Sequence, residues 1–248
     1  MGAGREAIRA LHLLLFPVRC LICGEVFAAQ GGGPGCPACW SRIVPPAGPW
    51  CRRCGRPLAG EDAQSAGPRC GACRRPQPFY RARSFGVYTA ELRELIQLFK
   101  FSGAEGIGIQ LGRRLGALLN SDPDYARAEL VTWVPLHWRR RRARGFDQAQ
   151  VVAREVARAL RLPLARAALR RVRNTPAQTG LGGRERRQNL RDAFVVRERR
   201  LRGARRLILV DDVWTTGSTL SECARTLRRA GVRKIYLATV ARVLDSNF

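Results

Sequence analysis

Lysine is almost missing from this chain: only Lys100 and Lys234 occur, so arginine supplies nearly all of the 45 basic residues. Acids are also few, at 19, and the formal net charge is +26. No stretch approaches the ~18 consecutive apolar residues of a membrane span, which excludes a transmembrane protein. The run Leu11 to Phe16 is too short, and interrupted by His12, to act as a secretory core, so a cytoplasmic location is expected. What is present suffices for a folded core: a hydrophobic share of 46% with 7% aromatics excludes wholesale disorder despite the charge. The length of 248 residues allows one large domain or a mid-sized domain with a small satellite. So large a positive excess suits polyanions, whether nucleic acid, an anionic membrane surface or a phosphorylated small molecule. The plainer explanation is arginine enrichment through codon bias and solubility.

Eight of the nine cysteines lie between positions 20 and 73, as four CxxC pairs: Cys20/Cys23, Cys36/Cys39, Cys51/Cys54 and Cys70/Cys73. A CxxC turn aims two thiolates at one ion, and two such turns close a tetrahedral site. The gaps within the first two pairs and the last two, 12 and 15 residues, are near zinc-ribbon spacing. Glycine follows two pairs, at Gly24 and Gly55, where a knuckle benefits from a residue that tolerates positive φ. A disulfide framework is the competing reading, but no secretory segment supports an oxidising compartment. Two structural Zn²⁺ sites of four cysteines each are expected, with no open position for metal catalysis. Sequential pairing is favoured, and the 11-residue gap between Cys39 and Cys51 leaves a cross-braced arrangement open. Gly- and Pro-rich stretches between the knuckles offer little to pack, so metal must supply much of the folding free energy.

From about Tyr80 the apolar pattern changes. Leu92, Leu95, Ile96 and Phe99 mark one amphipathic helix, and Leu111, Leu115, Leu118 and Leu119 another. Residues 130–134 read as a short strand, followed by a helix burying Ala149, Val152, Ala153, Val156 and Leu160. A β-α-β unit closes the chain: strand 206–210, helix 219–230 ended by Gly231, strand 234–241. Such alternation predicts an α/β domain with a doubly wound parallel sheet over 80–248, preceded by a zinc-ribbon domain with a short N-terminal helix over 1–79. Cys223 shares a helix face with Leu220, Ala224 and Leu227 and is expected in the core, not as a ligand.

The stretch Leu207-Ile208-Leu209-Val210-Asp211-Asp212-Val213-Trp214-Thr215-Thr216-Gly217-Ser218-Thr219 carries the most chemistry. A hydrophobic strand delivers two carboxylates at its C-terminal end, where ligands bind in open α/β sheets. A hydroxyl-rich loop then enters a helix, so its backbone amides, its hydroxyls and the positive helix end make a phosphate cradle. A ribose diol next to a 5′-phosphate would satisfy both halves, whereas an ordinary capped turn needs neither two acids nor four hydroxyls. This segment resembles the phosphoribosyl diphosphate (PRPP) motif of type I phosphoribosyltransferases over all thirteen positions. The resemblance implies that Asp211 and Asp212 contact the ribose hydroxyls and that Thr215, Thr216, Gly217, Ser218 and Thr219 bind the 5′-phosphate. It also implies Mg²⁺-assisted displacement of pyrophosphate by a nitrogen nucleophile, with positioning and electrostatics as the main catalytic terms.

The stretch from Val134 through Arg140 and Arg144 to Gln148 starts where a strand ends, the place expected for a pyrophosphate-binding loop. With the stretches 170–181 and 185–194 and the cysteine-rich N-terminus, it resembles the ComF family, the double-zinc-ribbon phosphoribosyltransferase-like proteins associated with natural competence. One departure is visible: Asp147 stands where that family commonly has asparagine. If the asparagine donates to phosphate, the contact is in doubt; if it caps the following helix, aspartate serves equally well. His137 reads either as a general base or, more simply, as a packing or hydrogen-bonding residue.

Between Arg139 and Arg191 sixteen arginines face three acids, half of the chain's net charge in about a fifth of its length. Residues 1–80 contribute ten basic and four acidic residues, and eight zinc-bound thiolates would leave that module near neutral. Arginines interleaved with Trp133, Trp138 and Phe146 suit single-stranded DNA, since a lone PRPP needs only a few of them. Three readings follow: a PRPP–Mg²⁺ binder that engages single-stranded DNA in uptake, an active phosphoribosyltransferase with no DNA role, and a zinc-ribbon adaptor for a competence helicase or another uptake-machinery protein.

Overall fold

The computed structural model describes residues 17–28, 34–45, 48–60, 63, 67–173 and 190–244. The expected N-terminal helix, His12 and the stretch 174–189 lie outside them. The chain opens with an antiparallel ribbon of β1 (Pro17–Arg19) and β2 (Val26–Ala28), then two short helices, α1 (Pro37–Arg42) and α2 (Gly71–Arg74). There follow β3 (Arg81–Val87), α3 (Ala90–Phe101), α4 (Glu105–Asn120), β4 (Leu130–Trp133), α5 (Trp138–Arg144) and α6 (Gln148–Ala159). A small antiparallel pair, β5 (Leu169–Arg171) and β6 (Phe194–Val196), precedes the closing unit of β7 (Arg206–Trp214), α7 (Ser218–Arg229) and β8 (Lys234–Arg242).

Four strands form one parallel sheet in the order β3-β8-β7-β4, and Leu164 adds a single parallel bridge outside β4 at Val131. The central strand is apolar on both faces because both faces are covered. Ile208 and Val210 join one core with α3, α4 and α6, while Leu207 and Leu209 join a second core with α7. The cysteine modules divide between these cores: Trp40 and Ile43 from the first pack into the former, and Cys51, Cys54, Cys70 and Cys73 of the second into the latter. Cys223 is fully buried in that second core, as its helical spacing requires.

Glycine spacing sets how the helices near the site lie. Gly108, Gly112 and Gly116 recur every four residues along α4, so they share one face. A Cβ at Gly112 would stand 2.8 Å from the Glu155 Cβ, and one at Gly116 would stand 2.6 Å from the Ala159 Cβ. Only glycine lets α4 approach α6 this closely, and a Cβ at Gly108 would meet the Phe99 ring at 2.2 Å. This close packing seats the ends of α3 and α6 that carry Lys100 and Gln148.

Candidate functional site

The two cysteine groups are separate and sequential: Cys20, Cys23, Cys36 and Cys39 form one, and Cys51, Cys54, Cys70 and Cys73 the other. Within each group the ligand atoms lie within 4.8 Å of one another. The Cys23 and Cys36 sulfurs are 3.8 Å apart, and those of Cys54 and Cys70 3.7 Å apart. An ion about 2.3 Å from four tetrahedral sulfurs separates them by about 3.8 Å, so both groups fit Zn²⁺. The same distances are far beyond the ~2.05 Å of a disulfide. Amides of Ile22, Cys23 and Cys36 donate to the Cys20 sulfur, and the Cys54 amide to that of Cys51, which stabilises thiolate charge. Gly24 and Gly55 close the knuckles at φ 75° and 69°, and a Cβ on Gly55 would meet the Ala82 carbonyl at 2.9 Å.

The second site is a cavity of about 360 Å³ at the C-terminal edge of the sheet. Asp211 and Asp212, on β7, line it together with Thr215, Thr219, Arg140 and Arg144. Val134–Leu136, Asp147 and Gln148, from the stretch expected as the pyrophosphate loop, also line it, and so do Lys100 and Arg171, which the sequence did not mark as site residues. Of the remaining loop residues, Thr216 and Ser218 hydrogen-bond each other through their hydroxyls at 3.0 Å, and Gly217 turns the chain into α7 at φ 75°. A Cβ there would stand 2.7 Å from the Trp214 ring nitrogen, so glycine is required on two counts.

The acid pair is held asymmetrically. Asp211 Oδ1 accepts from the Asp212 amide at 2.9 Å, and Asp212 Oδ1 accepts from the Val213 amide at 2.7 Å. Asp212 Oδ2 takes Lys100 Nζ at 2.7 Å. Burial and the adjacent Asp212 carboxylate push the Asp211 carboxyl well above the usual carboxylate range, while Lys100 opposes that rise. Ligand groups that donate to oxygen or carry positive charge are therefore favoured beside this pair.

The cavity is also lined by cations. Residues 138–144, expected as part of a loop, form the helix α5: His137 caps it by accepting from the Arg139 amide at 3.4 Å, and Gly145 ends it in the left-handed region. Arginine is a good helix former, and those two ends supply what a seven-residue helix needs. Burial, with Arg171, Arg139 and Arg140 nearby, holds the His137 imidazole below its ordinary pKa. Capping α5 accounts for the buried position of this residue. Burial and Arg140 likewise depress Arg171, a direction an incoming anion would reverse. Gln148 accepts from Arg144 at 3.1 Å, yet its buried Nε2 has no hydrogen-bond partner among the described residues. Such an orphaned donor costs roughly 1–3 kcal/mol, and a phosphate oxygen would satisfy it.

Asp147 answers the question its identity raised. Its side chain caps α6 by accepting from the Gln150 amide at 3.4 Å and also accepts from the Leu136 amide at 3.1 Å. The Gln150 bond uses Oδ1, an acceptor that Asn and Asp share, whereas the Leu136 bond uses the second carboxylate oxygen, Oδ2, where asparagine would carry an NH2 donor. At the cavity's rim two exposed aromatics each carry an arginine: Arg144 over Phe101 at 5.4 Å and Arg139 over Trp138 at 5.3 Å.

Two domain families match separate parts of the chain. Residues 11–74 match the double zinc ribbon domain, and residues 147–247 match the phosphoribosyl transferase domain. Competence protein F of Haemophilus influenzae is 34% identical over 233 residues, 92% of this chain and 98% of that protein. The DNA utilization protein YhgH of Escherichia coli K12 is 32% identical over 239 residues, 94% of this chain and 100% of that protein. Its counterpart in Salmonella typhimurium is 31% identical over 235 residues, with 94% and 100% covered.

Proposed function

The chain belongs to the family of competence protein F and the DNA utilization protein YhgH, and on that premise we propose that it binds PRPP with Mg²⁺ and single-stranded DNA in cytoplasmic DNA uptake. The observation that carries this reading is one cavity lined jointly by Asp211, Asp212, Arg140, Arg144, Thr215 and Thr219. A 5′-phosphate takes the loop amides, the hydroxyls of Thr215 and Thr219 and the N-terminal end of α7. The ribose hydroxyls then donate to Asp211 and Asp212. The diphosphate falls toward Arg140, Arg144 and the unsatisfied Gln148 amide.

Two carboxylates beside a diphosphate are a hard oxygen set of the kind Mg²⁺ takes. Asp211 and Asp212 would hold the ion, which would neutralise diphosphate charge. In a transfer reaction this chain's part is to fix the ribose between the acid pair and the loop, and to hold the leaving diphosphate with arginine. Single-stranded DNA is engaged at the rim, where Phe101 and Trp138 offer exposed ring faces backed by arginine. Bases of any identity stack on such faces while guanidinium groups neutralise phosphates.

A titration of PRPP with Mg²⁺ into the chain, with and without saturating labelled single-stranded oligonucleotide, tests the pair of ligands together. Both are expected to bind, with the oligonucleotide released as salt rises. Binding of neither contradicts the reading, and binding of PRPP alone removes its DNA half.

A further inference from the structure

The ion pair in the middle of the cavity has no assigned role. Lys100 Nζ sits 2.7 Å from Asp212 Oδ2, with both side chains only 18–19% exposed. The other Asp212 oxygen is committed to the Val213 amide, so Lys100 occupies the atom that a ribose hydroxyl would use. Lys100 also stands in the last turn of α3, where a cation is favoured by the helix end, and it lines the same cavity as Arg140 and Arg144.

The choice of residue matters. In a chain whose basic positions are otherwise arginine in all but one case, this one is lysine. A guanidinium would clamp the Asp212 carboxylate through two fixed N–H groups and stay there. A compact ammonium on a four-carbon stem bonds at a single point and can swing to another oxygen acceptor without moving the helix.

Resting on the phosphoribosyl reading above, we infer that Lys100 is an exchange latch. It holds Asp212 while the cavity is empty, releases the carboxylate to the ribose hydroxyls, and then contributes its charge to the diphosphate. The Lys100–Asp212 pair keeps one cation masked and one acid neutralised until a ligand carrying both a diol and a diphosphate arrives. A ligand with the diol and 5′-phosphate but no diphosphate has to break the pair and leaves the ammonium without a new partner. Lys100 thereby sets the preference of the site for PRPP over ribose 5-phosphate.

The two ligands give opposite signs for one substitution, which no merely structural role does. In Lys100→Met, PRPP–Mg²⁺ affinity is expected to fall about tenfold or more, the range for removing a hydrogen bond between charged groups. Ribose 5-phosphate affinity is expected to rise by roughly threefold or more, because the competing bond to Asp212 is gone. Lys100→Arg, whose guanidinium stays on Asp212, should weaken PRPP binding as well, and melting curves of both variants establish that they fold. In Lys100→Met, parallel losses for both ligands, parallel gains, or no change for either overturn the latch while leaving the phosphoribosyl reading in place. Failure of the wild-type chain to bind either ligand overturns that reading and the latch with it.

Discussion

Arg242, at the end of β8, donates from Nη1 to the carbonyl of Cys54 at 2.9 Å, and its guanidinium lies 4.3 Å from the centroid of the Trp214 ring. The second cysteine knuckle is thereby tied to the residue that precedes the Thr215–Thr219 loop. Arg53 adds a further tie, its carbonyl accepting from the Ala82 amide at 2.7 Å on the edge strand β3. The cysteine group thus reaches the neighbourhood of the cavity through the Arg242 side chain and the Trp214 ring.

Removing zinc should therefore reach the ligand site. Chelation, or Cys54→Ser, is expected to lower the melting temperature and to weaken PRPP binding together, because four buried sulfurs of the second core lose their ion. Zinc release followed by a chromogenic chelator beside a PRPP titration checks it. A zinc-free chain that binds PRPP as tightly as before would instead favour an adaptor role for the ribbons.

Gly217→Ala combines a left-handed φ of 75° with a Cβ 2.7 Å from the Trp214 ring. A loss of about 2 kcal/mol or more is expected, from backbone strain and forced movement of the indole together. Gly231→Ala is the control: its φ is 89° but nothing lies within 4 Å of the added methyl, so it should cost only about 1 kcal/mol. Denaturant melts separate the two, and only Gly217→Ala should weaken ligand binding.

Burial raises the Asp147 carboxyl above its usual value near 3.8, outweighing the Leu136 and Gln150 amides that stabilise its charge. A raised folded-state pKa means the native chain holds its proton longer than the unfolded chain. This residue's contribution is full below the unfolded value and is lost as pH rises through the higher folded value. Asp147→Asn removes the buried charge and can keep the Gln150 cap, but it turns an NH2 donor toward the Leu136 amide. A loss of roughly 1–3 kcal/mol at pH 7 is expected from the unmade bond, with a flatter stability profile from about pH 4 upward. Melts across that range decide it, and a variant as stable as wild type at pH 7 would show that the second carboxylate oxygen is not needed.

At the rim, Arg140→Ala with Arg144→Ala should weaken oligonucleotide binding and reduce the salt slope by about 0.7 for each phosphate that is no longer neutralised. Phe101→Ala and Trp138→Ala are expected to cost about 1–3 kcal/mol per stacked base without changing that slope. Fluorescence anisotropy at several salt concentrations distinguishes charge from stacking, and affinity unmoved by salt or by any of these changes would remove DNA from this surface.

How much of the molecule is legible in its sequence depends on range. The strand Arg206–Val210 and the helix after it can be read because a fully apolar run, a hydroxyl loop and a terminal Gly231 are local signals. The strand nonetheless runs to Trp214, since Asp211 and Val213 pair with Thr239 and Ala241 across the sheet, which the polar composition of the loop conceals. Sequential pairing of the CxxC turns rests on gap lengths in the sequence and is fixed by the sulfur positions. Lys100 is not legible: it sits in an amphipathic helix more than a hundred residues from Asp212, and only the packing of α3 brings them together. Its one signal is rarity, a lysine in a chain that otherwise uses arginine. Arg171 likewise lies on β5, which pairs with β6 across 22 intervening residues, a pairing with no local signal. The arginine-rich run reads as loop on account of its charge, while its helical form depends on the caps at His137 and Gly145.

The central proposal is that the acid pair and the loop after β7 bind phosphoribosyl diphosphate. Calorimetric titration of PRPP with Mg²⁺ into the wild-type chain and into Asp212→Asn tests it most directly. A single-site isotherm for the wild type, weakened at least tenfold in the variant while its melting temperature holds, is the expected result. No heat of binding in the wild type, or equal affinity in both, would contradict the account.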